Sequence, residues 1–368
     1  MKKVRLGDYI EEFSQRNRKN APYSVYSVTN SQGFCRDYFN KDVASQNRTT
    51  YKLVPRGYFA YNPSRINVGS VDFQRCEDCV IVSPLYVVFS TSPSIDNHYL
   101  YYFLKSDIAH AFIRNTARGS VRDNLRFSDL SDFLIPLPSI KEQITIATRI
   151  QKAEKLIALF REELIRFDEL VKARFVEMLR QRSPRMVPIS QIGTVFTGST
   201  PAGDIRHHEG QEIPFAKPSD LCMDYPVNIT WTQHCLPIEA KPYVRMYPAG
   251  AILVACIASI GKIGIAATSG TCNQQINAII PNDNIDSYYL AYALHSIQST
   301  IIQAANTAVV PILNKGSFEK ICIPIVKEEI QRSFAAFVEQ VDKSKVVVQK
   351  SLEKAQQLYD SLMQQYFD

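Results

Sequence analysis

Cysteine and histidine residues are the first candidates for chemistry in this sequence. Cys76 and Cys79 have the C-x-x-C spacing that many zinc sites use, but no second pair of ligands follows them. A second group shares only these residue types and has no standard ligand spacing: His207, His208, Cys222, His234 and Cys235. We therefore expect reduced, structural thiols and no bound metal.

Two glycine- or proline-containing stretches could belong to an enzyme that binds nucleotides or methylates DNA. In the stretch 259–264, Lys262 is followed by Ile263 instead of Ser or Thr, and no glycine precedes Gly261 by five residues, so the phosphate-binding loop of nucleotide hydrolases is excluded. Asn62-Pro63-Ser64-Arg65 lacks the second proline and the aromatic residue of the adenine methyltransferase tetrapeptide. No acid pair or activated nucleophile is recognisable either. We expect no catalytic residues and no cofactor.

Two long helices are predicted as the elements that position the rest of the chain. The first begins after Ser139, which forms a capping-box pattern with Glu142, and ends before Pro184. Its apolar residues keep a 4-3-4-3 spacing that is typical of a coiled-coil seam: Ile146, Ile150, Ala153, Ile157, Phe160, Leu164, Phe167 and Val171.

The C-terminal segment repeats this design. Its seam contains Phe334, Val341, Leu352 and Tyr359. A helix of about 40 residues with an exposed apolar stripe needs a partner. We predict that the two helices pair with each other as an antiparallel coiled coil; two ordinary core helices within one domain are the alternative.

The segments that precede the helices also resemble each other. Four pairs of similar stretches lie 183 to 193 residues apart: 4–9 with 187–192, 53–59 with 246–252, 99–104 with 289–294, and 135–144 with 323–330. Each copy has short β runs, such as 79–89, followed by an amphipathic helix, near 99–115 or 288–305. We expect an α/β (α+β) fold with two tandem mixed domains, 1–138 and 185–325, each followed by a long helix, 139–184 and 326–368.

Charge and composition limit the classes of function. The 368 residues are 45% hydrophobic and carry a net charge of +6. The excess lies in the first half, because residues 1–138 carry 18 Lys and Arg against 13 Asp and Glu, whereas residues 185–325 carry 8 against 9. The N-terminus lacks the apolar core of a signal peptide, and the best apolar run, 249–260, is too short to span a bilayer. We expect a cytoplasmic protein without a membrane segment.

The order domain, helix, domain, helix, with a proline-rich entry into each helix, resembles the specificity (S) subunit of type I restriction-modification systems. The resemblance covers the whole chain and rests on several stretches in the correct order: 38–45, 61–70, 83–88, 170–178, 197–201, 213–215, 259–264 and 310–315. It implies a non-catalytic subunit with two target-recognition domains, each reading one half of a split double-stranded DNA sequence. It also implies two methyltransferase (modification) subunits and an ATP-dependent restriction subunit as partners. A coiled-coil scaffold with tandem protein-binding domains is the alternative.

Candidate DNA contacts follow from residue type. Lys and Arg offer ligands for phosphate, Arg can read guanine, and Asn and Gln can read adenine by paired hydrogen bonds. In the first domain the candidates are Arg16, Arg18, Lys19, Lys41, Gln46, Arg48, Arg65, Asn67, Arg118 and Arg122. In the second they are Ser199, Thr200, Lys217, Ser259, Lys262, Gln274 and Gln275. Solvated loops are the alternative for each residue. A stiff helix pair would also fix the spacer between the two half-sites.

Overall fold

The computed structural model describes residues 3–36, 47–116, 124–201, 212–306 and 310–367. The chain divides into two compact units, one formed by Met1–Phe160 with Ser351–Asp368 and the other by Arg161–Lys350. Each unit contains sheets, short helices and parts of two long helices. The predicted mixed α and β content of two tandem bodies is confirmed.

The first unit is built on short antiparallel strands. They are β1 (Lys3–Arg5), β2 (Ile10–Glu12), β3 (Ser27–Thr29), β4 (Gly33–Cys35), β5 (Lys52–Pro55), β6 (Phe59–Tyr61), β7 (Val71–Phe73), β8 (Cys79–Val82), β9 (Val87–Thr91) and β10 (Leu134–Pro136). The central sheet has the order β2-β9-β6-β7, and β3 pairs with β4, β5 with β8 and β1 with β10.

The second unit has larger sheets. Its strands are β11 (Arg185–Pro188), β12 (Gly193–Thr197), β13 (Ile213–Ala216), β14 (Val227–Ile229), β15 (Cys235–Leu236), β16 (Met246–Tyr247), β17 (Ile252–Ala255), β18 (Ile263–Ala266), β19 (Gly270–Cys272), β20 (Ile276–Pro281) and β21 (Cys322–Ile325). One sheet has the order β12-β20-β17-β18-β14 and another β15-β13-β19-β16, while β11 pairs with β21. The pairs β13–β19 and β14–β18 are parallel.

The helices are short except for two. They are α1 (Asn97–Leu104), α2 (Asp107–Thr116), α3 (Phe127–Ser131), α4 (Ile140–Arg180), α5 (Ile189–Ile192), α6 (Ser287–Ser296), α7 (Gln298–Gln303), α8 (Lys315–Glu319) and α9 (Glu328–Phe367). Among the described residues, no helix is long and apolar enough to cross a lipid bilayer.

The two units repeat specific hydrogen bonds as well as elements. Gln143, which is fully buried, accepts from the Asp96 N–H (2.9 Å) and donates to the Pro138 carbonyl (2.9 Å). Gln331 accepts from the Asp286 N–H (3.0 Å) and donates to a backbone carbonyl two residues before α9 (2.9 Å). Asp96 and Asp286 in turn cap α1 and α6. Each glutamine therefore fixes the start of a long helix to a short helix of the preceding domain.

The long helices α4 and α9 run antiparallel to each other, as predicted. In the first unit, Arg149 of α4 donates to the Tyr366 hydroxyl of α9 (2.7 Å). In the second, the Phe175 and Phe334 rings are 5.1 Å apart and Lys345 forms an ion pair with Asp168. Early residues of α4 thus contact late residues of α9, and late residues of α4 contact early residues of α9.

Two helices that were predicted to be continuous are interrupted. The short β runs predicted over 79–89 form β8 and β9, separated by a turn in which the Tyr86 N–H bonds to the Ser83 carbonyl (3.1 Å). The helix predicted over 99–115 is split into α1 and α2 at Ser106, whose hydroxyl donates to the Phe103 carbonyl and accepts from the Ala109 N–H. The helix predicted over 288–305 ends at Ser296 and resumes as α7. At Ser106, a side chain that caps a new helix outweighs the apolar periodicity that suggested one long helix.

Candidate nucleic-acid interface

A polar groove lies on the surface of the first unit. It measures about 660 Å³ and lies between the β3–β4 hairpin and the loop that joins β6 to β7. Amide, hydroxyl and guanidinium groups dominate its lining: Asn30, Ser31, Asn62, Ser64, Arg65 and Asn67. Such groups donate and accept hydrogen bonds as the edges of nucleic-acid bases do. The groove brings together Arg65 and Asn67 from the predicted set and adds Asn30, which was not predicted.

Lys105 connects the two walls of this groove. Its ammonium donates to the Asn30 side-chain oxygen (3.3 Å) and to the backbone carbonyl of Gly69. Gly69 has a φ of +85°, a conformation that favours glycine. Burial lowers the pKa of the Lys105 ammonium, while Asp72 and Glu154 act in the opposite direction. Lys105 therefore holds the two walls of the groove together and is not one of the residues that line it.

Asp72 holds the hairpin wall in place. Its carboxylate accepts the Phe34 N–H (3.1 Å) and forms an ion pair with Arg75 (3.2 Å). Gly33 has a φ of +60°, and a Cβ there would lie 1.9 Å from the Asp72 carboxylate, so the turn requires glycine. Burial raises the pKa of the Asp72 carboxyl. The carboxylate and the glycine together fix the distance between hairpin and sheet.

Four of the predicted cations lie on two adjoining loops of the first unit. The buried Asn17 side chain bonds to both the N–H and the carbonyl of Ala21, which shapes the first loop. The Arg48 N–H bonds to the Asn20 side chain (2.9 Å), which joins the second loop to the first. Arg16, Arg18 and Lys19 are exposed and Arg48 is half-buried. We name Arg16, Arg18, Lys19 and Arg48 the basic loop cluster.

Lys52 is a further cation of this region that sequence reasoning missed. Its ammonium donates to the Tyr86 carbonyl (2.7 Å), and burial lowers its pKa. Arg16 forms a β-bridge with Lys52, and Tyr86 also lines the polar groove. Tyr86 therefore connects the basic loop cluster to the groove.

The second unit gathers its predicted residues along one edge. The Thr200 hydroxyl donates to the Gln274 side chain (2.5 Å), and the Asn273 side chain donates to Gln275 (2.9 Å). The Asn273 N–H also bonds to the Ala216 carbonyl, at the end of β13. The Ser199 N–H bonds to the Cys272 carbonyl beside them. Ser199, Thr200, Gln274 and Gln275 are thus neighbours of the segment that begins at Lys217.

Lys217 and Lys262 flank the turn that follows β13. The Lys217 N–H bonds to the Asp220 carboxylate (2.8 Å), and its ammonium lies 5.7 Å from the Phe215 ring centroid. The Lys262 ammonium donates to the Pro218 carbonyl (3.3 Å), so part of its hydrogen-bonding capacity is already used. We name this set the second-unit edge: Ser199, Thr200, Lys217, Lys262, Gln274 and Gln275.

Ser259 lies in the loop that corresponds to the groove loop of the first unit. Residues 62–70 join paired strands in which Tyr61 faces Val71, and residues 256–262 join strands in which Val254 faces Ile263. Gly69 and Gly261 have similar positive φ values, +85° and +90°. The candidates Arg65 and Lys262 therefore occupy equivalent loops of the two copies.

The predicted helix-pairing residues are inward-facing in both long helices. Ile146, Ile150, Ile157, Phe334 and Val341 are buried. Phe160, Leu164, Phe167, Leu352 and Tyr359 are half-buried. The predicted seam did not include Val338, Met363 and Phe367, which are also buried. At these positions α9 packs on a domain core as well as on α4, which widens its apolar face beyond a coiled-coil stripe.

Some predicted residues lie outside the described part of the chain, namely Lys41, Gln46, Arg118, Arg122, His207 and His208. Within the described ranges, no group of three or more His, Cys, Asp or Glu residues could hold a metal ion. Burial raises the pKa of the Cys256 and Cys272 thiols to about 12. These two cysteines are therefore protonated packing residues at neutral pH.

Comparison with known proteins identifies similar sequences and folds. The family model described as type I restriction modification DNA specificity domain matches residues 3–166 and again 185–357. The chain is 31% identical over 170 residues to the HindI type I restriction enzyme specificity subunit of Haemophilus influenzae, an alignment that covers 44% of this chain and 37% of that protein. It is 29% identical over 158 residues to the MjaIX specificity subunit of Methanocaldococcus jannaschii, covering 42% and 37%. Each of these alignments thus spans well under half of the relative.

Two solved structures share the fold over the whole chain. One, described as the structural basis of complex assembly and conformational transition of the type I R-M system, aligns with a TM-score of 0.61 and 18% identity, covering 100% of this chain and 97% of the other. The S subunit of a type I restriction-modification system from M. genitalium aligns with a TM-score of 0.58 and 17% identity, covering 100% and 96%. At these identities the likeness concerns the fold.

Proposed function

The chain belongs to the type I restriction modification DNA specificity domain family, and from that premise we propose that it is the non-catalytic DNA-recognition subunit of such a system. Residues 1–138 and 185–325 are then two target-recognition domains, and each reads one half of a bipartite double-stranded DNA target. Two methyltransferase subunits and an ATP-dependent restriction subunit are the partners in the cytoplasm.

The observation that carries this proposal is an equivalent loop in the two copies that holds predicted DNA-contact residues in each. In the first copy Arg65 and Asn67 lie in the loop between β6 and β7, and in the second Ser259 and Lys262 lie in the loop between β17 and β18. Duplicated domains whose equivalent loops carry different side chains can recognise a target whose two halves differ in sequence.

The net charges of the two domains suggest that they contribute differently to DNA affinity. The first domain carries the basic loop cluster and a net charge of +5, whereas residues 185–325 carry −1. Cations near phosphates supply sequence-independent, salt-sensitive affinity. The first domain therefore contributes more of the sequence-independent affinity for DNA, and the second depends more on contacts with the bases.

The test is to express the chain with a methyltransferase subunit of the same family in a host that lacks DNA adenine methylation. Long-read sequencing then identifies modified bases. We expect one bipartite motif with a fixed spacer, and none when either protein is expressed alone. Sequence-specific methylation by the methyltransferase subunit without the chain would contradict the proposal. So would a chain that binds the methyltransferase subunit but gives its methylation no sequence preference. The second result would favour the scaffold.

A further inference from the structure

The only tryptophan of the sequence is exposed on the second unit. Trp231 follows β14 in the loop to β15, and 59% of its surface is accessible to solvent. Tryptophan is the largest side chain and is normally well covered in a folded protein. An indole left in water is a candidate for contact with a ligand.

Hydrogen bonds of the two residues that follow Trp231, Thr232 and Gln233, fix the backbone of this loop. The Thr232 side chain, 1% exposed, accepts the Phe215 N–H (3.0 Å) and donates to the His234 carbonyl (2.5 Å). The Gln233 N–H donates to the Asp220 carboxylate (3.1 Å). These bonds keep the loop in one conformation, so the indole is presented to solvent without a change in the backbone. A backbone that is ordered in advance loses little entropy when the loop binds a ligand.

The surroundings of this loop belong to the second-unit edge. Asp220, which holds Gln233, also accepts the Lys217 N–H (2.8 Å). Lys262 reaches the same turn through the Pro218 carbonyl. The turn 217–220 therefore adjoins the loop that carries Trp231 and the exposed Gln233, begins at Lys217 and accepts a hydrogen bond from the Lys262 ammonium. Lysine ammonium groups bind phosphates, and amides form hydrogen bonds with base edges. An apolar ring packs against the thymine methyl group or against an unstacked base step.

On the basis of the proposed function, we infer that Trp231 determines specificity in the second recognition domain by apolar contact with the bases of its half-site. Its occupant is duplex DNA, because the neighbouring cations and amides complement a polyanion with hydrogen-bonding edges. Sequence reasoning missed Trp231 because it looked for charged and amide side chains. The available signal was a lone tryptophan in the polar stretch 228–234.

The first experiment compares the methylated motif of the wild-type complex with those of Trp231→Ala and Trp231→Phe. We expect Trp231→Ala to reduce methylation about tenfold or to make positions of one half-site degenerate, while the other half-site stays unchanged. Trp231→Phe should retain most of the wild-type pattern. Met186→Ala, an equally exposed apolar residue on β11, is the control and should change nothing. An unchanged motif and rate in Trp231→Ala would overturn the inference.

The second experiment observes the indole directly. Because the chain has one tryptophan, 5-fluorotryptophan labelling gives it a single fluorine resonance, and unlabelled methyltransferase adds none. We expect that resonance to shift with a duplex that carries the wild-type motif and not with one whose second half-site is scrambled. A shift on adding methyltransferase alone, followed by none with DNA, would assign Trp231 to a protein interface and overturn the inference. A wild-type complex with no bipartite motif would instead contradict the proposed function.

Discussion

The Tyr99 hydroxyl donates a hydrogen bond to the Pro136 carbonyl, at 2.7 Å. Tyr289 makes the same bond with Pro324, also at 2.7 Å. Tyr99 lies on α1 and Tyr289 on α6, and each proline lies on the strand that leads into a long helix. The ring of Tyr99 packs against Phe367 (5.2 Å), and that of Tyr289 against Phe175 (5.5 Å). Each tyrosine thus joins the strand that precedes one long helix to the end of the other.

We expect Tyr99→Phe and Tyr289→Phe to lower the stability of the full chain by similar amounts, about 1–2 kcal/mol each. Each substitution leaves a buried carbonyl without its donor and keeps the ring packing. Urea unfolding, followed by circular dichroism, measures the loss. Tyr243→Phe, at a residue that is 66% exposed, is the control and should be neutral. Unequal losses would contradict the structural equivalence of the two tyrosines.

Lys105 is a positioning residue of the polar groove, because it donates to Asn30 on one wall and to Gly69 on the other. We expect Lys105→Met to relax the sequence preference at one half-site while the other half-site is read normally. Lys105→Arg should restore part of the preference, since it keeps donors at this position. The methylated motif is the readout, and Lys155→Met, at an exposed residue of α4, is the control. Loss of both half-sites would indicate a general folding defect instead.

The pH dependence of stability tests Asp72. Burial raises the pKa of its carboxyl, although Arg75 and Lys105 lower it. Folding therefore favours the protonated carboxyl, so this stabilisation is complete below the unfolded pKa, about 4, and is lost as pH rises through the folded pKa. We expect the free energy of unfolding of the wild type, relative to Asp72→Asn, to fall as the pH rises above about 4. Asp78→Asn, at an exposed carboxylate, is the control. A difference independent of pH would refute the assignment.

Much of the scaffold was predictable from the sequence because it depends on local periodicity. The 4-3 spacing from Ile146 to Val171 and the repeated stretches led to the two helices and the duplicated domains. Contacts between distant segments had no such signal. Lys105 is one cation among many in the sequence, and its role depends on a hairpin 75 residues away. Met363 and Phe367 were missed because the seam pattern describes helix pairing and not packing on a domain.

Arg65 and Lys262 occupy equivalent loops, but their side chains differ in availability. Arg65 is exposed, whereas the Lys262 ammonium is bonded to the Pro218 carbonyl. We expect Arg65→Ala to weaken DNA binding by the complex and to reduce the slope of log affinity against log salt by about one. Lys262→Ala should have a smaller effect of the same kind. Fluorescence anisotropy across a salt series measures both. Unchanged affinity and slope in both variants would remove these residues from the interface.

The length of the paired helices is expected to set the spacer between the half-sites. Residues 157–163 lie between Arg149 and Asp168 of α4, and residues 351–357 lie between Lys345 and Tyr366 of α9. Arg149 contacts Tyr366, and Asp168 contacts Lys345. Deleting one heptad from each helix keeps the seam in register and removes about 10 Å of rise, equivalent to about three base pairs.

We therefore expect the double deletion to methylate a motif with unchanged half-sites and a shorter spacer. A deletion in α4 alone is the control: it shifts one seam against the other and should abolish methylation. Long-read sequencing reports half-sites and spacer together. If the double deletion is active with the original spacer, helix length does not determine the spacing, and flexible attachment of the recognition domains must do so.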